Sequence, residues 1–171
     1  MHSTEFINRL TQAAPRDHRI LPPLEDAELD AWCERWPQCR LPEDLLGLLR
    51  QANGIQFWVH RGSPDGCYSL LPLREIDSAR RIMWGESGEQ LKSDEVPRRH
   101  WLAITQHQDG ACYVVLDTDE QRYYLMDTCG ADLTCPVGNS VSELLDFIWD
   151  TWVKALGDAI SKQDSLPGNW T

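Results

Sequence analysis

The segment Leu41–Gly54, LPEDLLGLLRQANG, constrains the fold of this chain more than any other stretch. Pro42 suits the first position of a helix, where its missing N–H costs nothing. Asn53-Gly54 tolerates the left-handed backbone that closes a helix. Between them, apolar side chains recur at the spacing of one helix face, at Leu45, Leu48, Leu49 and Ala52. The segment therefore predicts an amphipathic helix whose leucine face is buried.

Further helices are predicted at both ends of the chain. One ends at Pro15, and a second runs from about Leu24 to Arg35 with an acidic first turn. Near the C-terminus, Ser140 and Glu143 have the spacing of a capping box, and Gly157 is a natural stop. The apolar face of this last helix comprises Val141, Leu144, Leu145, Ile148, Trp152 and Leu156.

The middle of the chain predicts strands, because its apolar runs are short and rich in aromatic and β-branched residues. The runs are Phe57–Val59, Tyr68–Leu71, Trp101–Thr105, Ala111–Asp117 and Tyr123–Asp127. Cys112–Leu116 is apolar on both faces, which favours a central strand. Asp109-Gly110 is interpreted as a hairpin turn, residues 85–99 as an exposed loop and residues 129–138 as irregular. The fold class predicted is α+β, with a mainly antiparallel central sheet on which N-terminal helices and a C-terminal helix pack.

Several of these stretches, taken in order, resemble the SMI1/KNR4 family of the SUKH superfamily. The similar stretches are LPEDLLGLLRQANG, Leu70–Leu73 followed by Glu75-Ile76, Trp101–Ile104, Asp109-Gly110 before Cys112–Leu116, and Ser140–Ile148. The likeness covers about residues 20–155 and implies the same α+β architecture. We expect one domain over residues 1–160 and a flexible tail over residues 161–171.

The resemblance implies a binding function and no cofactor. Bacterial members of the family commonly act as immunity proteins that neutralise a cognate toxin, often a nuclease, and fungal members are regulatory scaffolds. The leading hypothesis is therefore a non-catalytic immunity protein, and the alternative is a regulatory protein-interaction scaffold that is not paired with a toxin. A toxin gene immediately upstream favours the first hypothesis, and an isolated gene favours the second.

The net charge of −11 is concentrated in one part of the chain. Residues 109–158 carry −8, and the remaining residues carry −3. Phosphate repulsion makes nucleic acid an unsuitable partner, whereas a basic protein is attracted. We predict a partner-binding surface at carboxylates placed in turns or at strand ends, where side chains reach solvent: Asp117, Asp119, Glu120 and Asp132. The alternative is that these charges serve solubility only.

The chain offers no membrane segment and no secretory signal by sequence criteria. Its apolar runs are far shorter than the roughly 20 residues of a membrane span, and MHSTEFINRL has no basic region followed by an apolar stretch. We therefore expect a cytoplasmic protein without a membrane partner.

The six cysteines, at positions 33, 39, 67, 112, 129 and 135, are interpreted as inert core thiols. A disulfide framework is not expected in a cytoplasmic chain, and the spacings of Cys33 and Cys39 and of Cys129 and Cys135 exceed those usual in zinc sites. A metal or small-molecule sensor that uses these thiols is a third functional hypothesis. Detection of bound metal in the purified protein would support it.

An enzyme is not expected, because the sequence lacks the motifs of common catalytic sites. The sharpest enzymatic hypothesis pairs Cys112 as nucleophile with His100 or His107 as base. A reactive thiolate needs an electropositive and partly exposed setting, whereas Cys112 lies in an apolar strand of an acidic segment.

Overall fold

The computed structural model describes residues 1–13, 16–59, 68–84, 101–107, 112–127 and 134–159. In chain order the elements are α1 (Ser3–Ala13), β1 (His18–Ile20), α2 (Asp26–Arg35), α3 (Glu43–Leu49), β2 (Ile55–Phe57), β3 (Tyr68–Leu70), β4 (Asp77–Ser78), α4 (Ala79–Trp84), β5 (Trp101–Ala103), β6 (Thr105–His107), β7 (Cys112–Asp117), β8 (Arg122–Asp127), β9 (Thr134–Gly138) and α5 (Val141–Ile148). A 3-10 turn at Leu73–Glu75 precedes β4, and a π-helical segment at Trp149–Ala155 continues α5. None of the helices in these ranges has both the length and the apolarity to cross a bilayer.

The predicted α+β class with antiparallel pairing is confirmed, although the strands form two sheets instead of one. The smaller sheet has the order β1-β2-β3-β6, and the larger has the order β4-β5-β7-β8-β9. Strand β7 is central in the larger sheet, and its residues from Tyr113 to Asp117 are buried. The apolar run in the sequence predicted this position, because a strand covered on both faces has no polar side.

Ile104 lies where one extended segment passes from the larger sheet to the smaller one. Its N–H donates to the Val114 carbonyl at 2.9 Å, and its carbonyl accepts from the Leu71 N–H, also at 2.9 Å. Its side chain is fully buried. The backbone of Ile104 therefore bonds to strand β7 of the larger sheet and to the residue that follows β3 of the smaller one.

Helix α3 buries the face that the sequence predicted. The side chains of Leu45, Leu48, Leu49 and Ala52 are fully buried in the main hydrophobic core. The helix ends at Leu49, not at Asn53-Gly54 as predicted. Gly54 has a φ of 104°, and a Cβ there would lie 2.9 Å from the backbone nitrogen of Pro72. Gly54 therefore permits a close approach between two backbone segments, which no other residue allows without strain.

The capping residues predicted for α5 do cap it, with one difference. Ser140 Oγ accepts from the Glu143 N–H at 3.3 Å. Glu143 Oε2 accepts from the N–H of Asn139, the residue before the cap. The prediction of a stop at Gly157 is wrong, because helical backbone continues to Ala159. A Cβ on Gly157 would lie 2.9 Å from Cη2 of Trp58, so the glycine makes room for an aromatic ring.

Two further local predictions differ from the structure. The strand predicted over Phe57–Val59 ends at Phe57, because Trp58 adopts a left-handed backbone with a φ of 61°. The region predicted as irregular contains the edge strand β9, which pairs with β8 through a register shift at Tyr123 and Tyr124. The predicted loop at 85–99, the Asp109-Gly110 turn and the tail at 161–171 lie outside the described residues.

Candidate functional site

Asp117 is buried, which corrects the expectation that its carboxylate reaches solvent. Its relative exposure is 1%. Oδ2 accepts from the Trp101 indole N–H at 2.7 Å, and Oδ1 accepts from the backbone N–H groups of Asp119 and Glu120 at 3.0 and 3.2 Å. The carboxylate satisfies donors in its own turn and in the neighbouring strand β5. Asp117 therefore shapes the turn between β7 and β8 and offers no charge to a partner.

Asp119 and Glu120 are exposed at the tip of the same turn, as predicted. Glu120 Oε2 accepts from the hydroxyl of Tyr124 at 3.1 Å and lies 3.9 Å from the guanidinium of Arg122. The ion pair is solvent-exposed, so it holds the glutamate only weakly. The turn thus carries two accessible carboxylates beside one accessible cation.

The turn is tied to the segment that follows α2. Gln121 has a left-handed φ of 54°, and its side-chain amide donates to the carbonyls of Thr118 and Arg40 at 2.7 and 3.2 Å. These bonds fix the turn backbone, from which the exposed side chains of Asp119 and Glu120 project. Asp132, the fourth predicted site residue, lies outside the described residues.

A cleft of about 440 Å³ opens beside the turn, and sequence reasoning missed it. It is lined by Arg122, Tyr123, Tyr124, Pro136, Val137, Gly138 and Asn139. Arg122 and Tyr124 of β8 line the cleft and also contact Glu120 of the turn, so the two features form one continuous surface. We call this surface, made of Asp119, Glu120 and the cleft, the β7–β9 surface. Strand β9 forms one wall of the cleft. The prediction that residues 129–138 are irregular therefore gave no indication of it.

Tyr123 contributes a buried phenol to this region. Burial, with a smaller contribution from the negative charge of Asp44, raises the pKa of Tyr123 far above its ordinary range. Within the described ranges its hydroxyl has no hydrogen-bond partner. The phenol therefore stays neutral at any physiological pH and supplies polarity without charge.

The four cysteines that the structure describes are less buried than predicted. Cys33 and Cys135 are exposed, whereas Cys39 and Cys112 are half-buried. The interpretation of Cys33 as a core thiol is wrong, because it is exposed and the buried residue of α2 is its neighbour Trp32. Burial raises the pKa of the Cys39 thiol, and a hydrogen bond with Thr118 opposes this effect. Cys67 and Cys129 are outside the described residues.

The structure assembles no metal-binding group among the residues it describes. Nowhere in these ranges do three or more His, Cys, Asp or Glu side chains converge in a way that fits a metal ion. His107 packs its ring against Tyr68, with the ring centroids 4.4 Å apart, and Cys112 lies half-buried at the start of β7. His100, the other proposed base, is outside the described ranges.

The match to a known protein family is consistent with the fold described above. The sequence model of the SMI1 / KNR4 family (SUKH-1) matches residues 23–151, which is 129 of the 171 residues. The matched region begins before α2 and ends within the π-helical segment, so it includes β2–β9 and the whole β7–β9 surface. No curated protein is similar enough in sequence to count as a relative of this chain. The chain belongs to the SMI1/KNR4 (SUKH-1) family.

Proposed function

We propose that this chain is an immunity protein that binds and neutralises a cognate bacterial toxin domain in the cytoplasm, without catalysing a reaction. The family match over residues 23–151 carries the proposal, since immunity-type binding domains are what this family is known for. The partner is a protein, and a basic nuclease domain suits the charge of this chain best.

The β7–β9 surface is the proposed docking site. Asp119 and Glu120 stand exposed on a turn whose backbone is fixed by Asp117 and Gln121. Because the turn backbone is already fixed, it loses little conformational entropy when the two carboxylates pair with cationic side chains. The adjoining cleft, which contains Tyr124 and Pro136, offers apolar contact beside the charges. Interfaces of this kind combine an aromatic anchor with a charged rim, and the charges mainly accelerate association.

The test compares two charge-reversal variants of equal net charge. Asp119→Lys/Glu120→Lys alters the proposed surface, and Asp26→Lys/Asp30→Lys alters two exposed residues of α2. Association with the cognate toxin domain is measured by stopped flow at low and high salt. The first variant should associate about tenfold more slowly at low salt, and the loss should shrink at high salt. Circular dichroism checks that both variants fold.

The Asp26→Lys/Asp30→Lys variant separates the effect of where the charges lie from the effect of the total charge. Both variants change the net charge by the same amount, so long-range attraction falls equally in each. If the two variants associate at the same rate, the β7–β9 surface is not where the partner docks. If the wild-type protein does not bind the toxin, the immunity function is wrong, and capture of a different protein would favour the regulatory scaffold.

A further inference from the structure

A row of aromatic neighbours crosses the smaller sheet and meets the C-terminal helix. The strand registers place His18 opposite Phe57, Phe57 opposite Tyr68, and Tyr68 opposite His107. Trp152 of the π-helical segment stacks on Tyr68, with ring centroids 4.6 Å apart and planes 14° apart. The row therefore couples the sheet to the end of the helix.

Trp58 connects the same two parts of the molecule by a hydrogen bond. Its indole N–H donates to the Trp152 carbonyl at 2.7 Å. Its ring fills the space that a side chain at Gly157 would need. Its backbone is left-handed, a conformation that bulky residues adopt only when neighbouring contacts hold them. The accepting carbonyl belongs to a π-helical turn, and such turns occur frequently at functional sites.

His18 supplies one of the contacts that hold Trp58. The two rings lie 4.7 Å apart, and His18 Nδ1 accepts from the backbone N–H of Trp58 at 3.4 Å. His18 is only 8% exposed, and its Nε2 has no hydrogen-bond partner within the described residues. These contacts require the neutral ring with its proton on Nε2, because only then can Nδ1 accept.

A second proton on His18 must therefore go to the atom that now binds Trp58. Protonation at Nδ1 replaces an acceptor with a donor that faces another donor, and it leaves a cation in a buried site. Both effects favour a conformation in which Trp58 moves away and His18 reaches water.

The charges around His18 do not cancel this effect. Burial lowers the pKa of His18, and the nearby carboxylate of Asp17 opposes the shift without overcoming it. Phe57 of β2 and Trp58, which follows that strand, contact the His18 ring and carry no charge. Among the described residues, Arg19 beside His18 is exposed and donates to Gln56, and Asp150 and Lys154 of the π-helical segment are exposed as well.

We propose that His18, Trp58 and Trp152, the His18 cluster, form a proton-operated switch that holds the C-terminal helix on the smaller sheet and releases it when His18 Nδ1 gains a proton from solvent. Release frees Trp58 from its left-handed backbone and breaks the indole bond to Trp152. The switch needs no toxin and does not depend on the proposed function. His18 and Trp152 lie outside the family match at 23–151, so the family domain alone does not supply the switch.

The direction of the pH dependence follows from the lowered pKa. Once His18 is released to water, its pKa returns to about 6.5. The open form therefore binds protons more readily than the closed form, and acidification favours opening. As pH falls below about 6.5, the ratio of closed to open protein should decrease by up to about tenfold per pH unit. The decrease ends below the lowered pKa of the closed form.

Nuclear magnetic resonance of the indole N–H groups tests the switch directly. The Trp58 signal is assigned from its loss in Trp58→Phe and followed from pH 8 to pH 5, together with hydrogen-exchange protection factors for residues 149–159. The proposal expects the Trp58 signal to shift or broaden, and the protection of these amides to fall, in one single-proton transition that coincides with the titration of the His18 ring.

Two histidine variants identify the responsible group. His18→Asn retains an acceptor for the Trp58 N–H but does not titrate, so it should abolish the transition. His107→Asn changes the other end of the row and should preserve it. An unchanged Trp58 signal and unchanged protection in the wild-type protein would overturn the proposal. The same transition in His18→Asn, or its loss in His107→Asn, would do so as well. If His18→Asn does not fold, the wild-type and His107→Asn titrations still decide the question.

Discussion

The side-chain amide of Asn53 donates to the carboxylate of Glu28 at 2.9 Å and so joins two segments 25 residues apart. Asn53 Oδ1 accepts from the Leu73 N–H at 2.8 Å, and Glu28 also accepts from the Arg74 N–H at 3.2 Å. Asn53 is 6% exposed. The residue that the sequence suggested as a helix cap is in fact a buried tie between α2 and the 3-10 turn.

Asn53→Ala should destabilise the fold by about 2–3 kcal/mol, because it removes a hydrogen bond to a charged group and leaves the buried Leu73 N–H without an acceptor. Urea unfolding measures the loss. Arg50→Ala, at an exposed position nearby, is the control and should change stability by less than about 0.5 kcal/mol. Equal stability of the two variants would show that the tie contributes nothing.

Two glycines should respond to alanine in opposite directions. Gly47 lies inside α3, and a Cβ there would meet no atom within 4 Å, so Gly47→Ala should stabilise the protein by about 0.5–1 kcal/mol. Gly157→Ala places a methyl group 2.9 Å from the Trp58 ring and should cost about 1–3 kcal/mol. Thermal unfolding measures both. In a Trp58→Phe background the cost of Gly157→Ala should largely disappear, and its persistence would assign the cost to the helix backbone instead.

The leucine face of α3 should dominate its contribution to stability. Leu48→Ala and Leu49→Ala each leave a cavity at a fully buried site and should cost about 2–5 kcal/mol. Leu46→Ala, on the half-exposed side of the same helix, should cost clearly less in the same denaturation series. Equal costs at the three positions would contradict the burial pattern.

Alanine substitutions of Asp117 and Asp119 should distinguish a carboxylate that stabilises the fold from one that is accessible to a partner. Asp117→Ala removes the acceptor of the Trp101 indole and of two backbone N–H groups, so we expect a loss of about 2–3 kcal/mol. Asp119→Ala removes an exposed carboxylate and should change stability by less than about 0.5 kcal/mol. Chemical denaturation compares them, and a silent Asp117→Ala would make that residue a candidate partner contact again.

The thiols should react with iodoacetamide in the order of their exposure. Cys33 and Cys135 are exposed and should label first, whereas Cys39 should label slowly, because burial raises its pKa and lowers its thiolate fraction. Peptide mass spectrometry of native protein after timed labelling gives the order. Fast and selective labelling of Cys112 would instead support the nucleophile hypothesis.

Sequence periodicity predicted the structural features that depend on a single helix or strand. The buried faces of α3 and α5 follow from the 3.6-residue repeat, and the central position of β7 follows from its continuous apolar run. The burial of Asp117 did not follow, because it depends on an indole donor that arrives from β5. Strand β9 was missed because Pro136 and Gly138 weaken the strand signal.

The site was only partly predictable for the same reason. Exposure of Asp119 and Glu120 follows from their position in a turn, but the adjoining cleft needs β8 and β9 side by side. The His18 cluster has no sequence signature either. It brings together residues from three separate segments, and the left-handed backbone of Trp58 is set by those contacts and not by local propensity.

The position of Ile104 has a consequence for how the molecule comes apart. The Ile104 N–H is bonded to the larger sheet and its carbonyl to the smaller one. Detaching this segment from either sheet therefore also strains the hydrogen bond that it makes with the other. The two sheets should therefore unfold as one cooperative unit, and the Ile104 amide should exchange with solvent only through global opening.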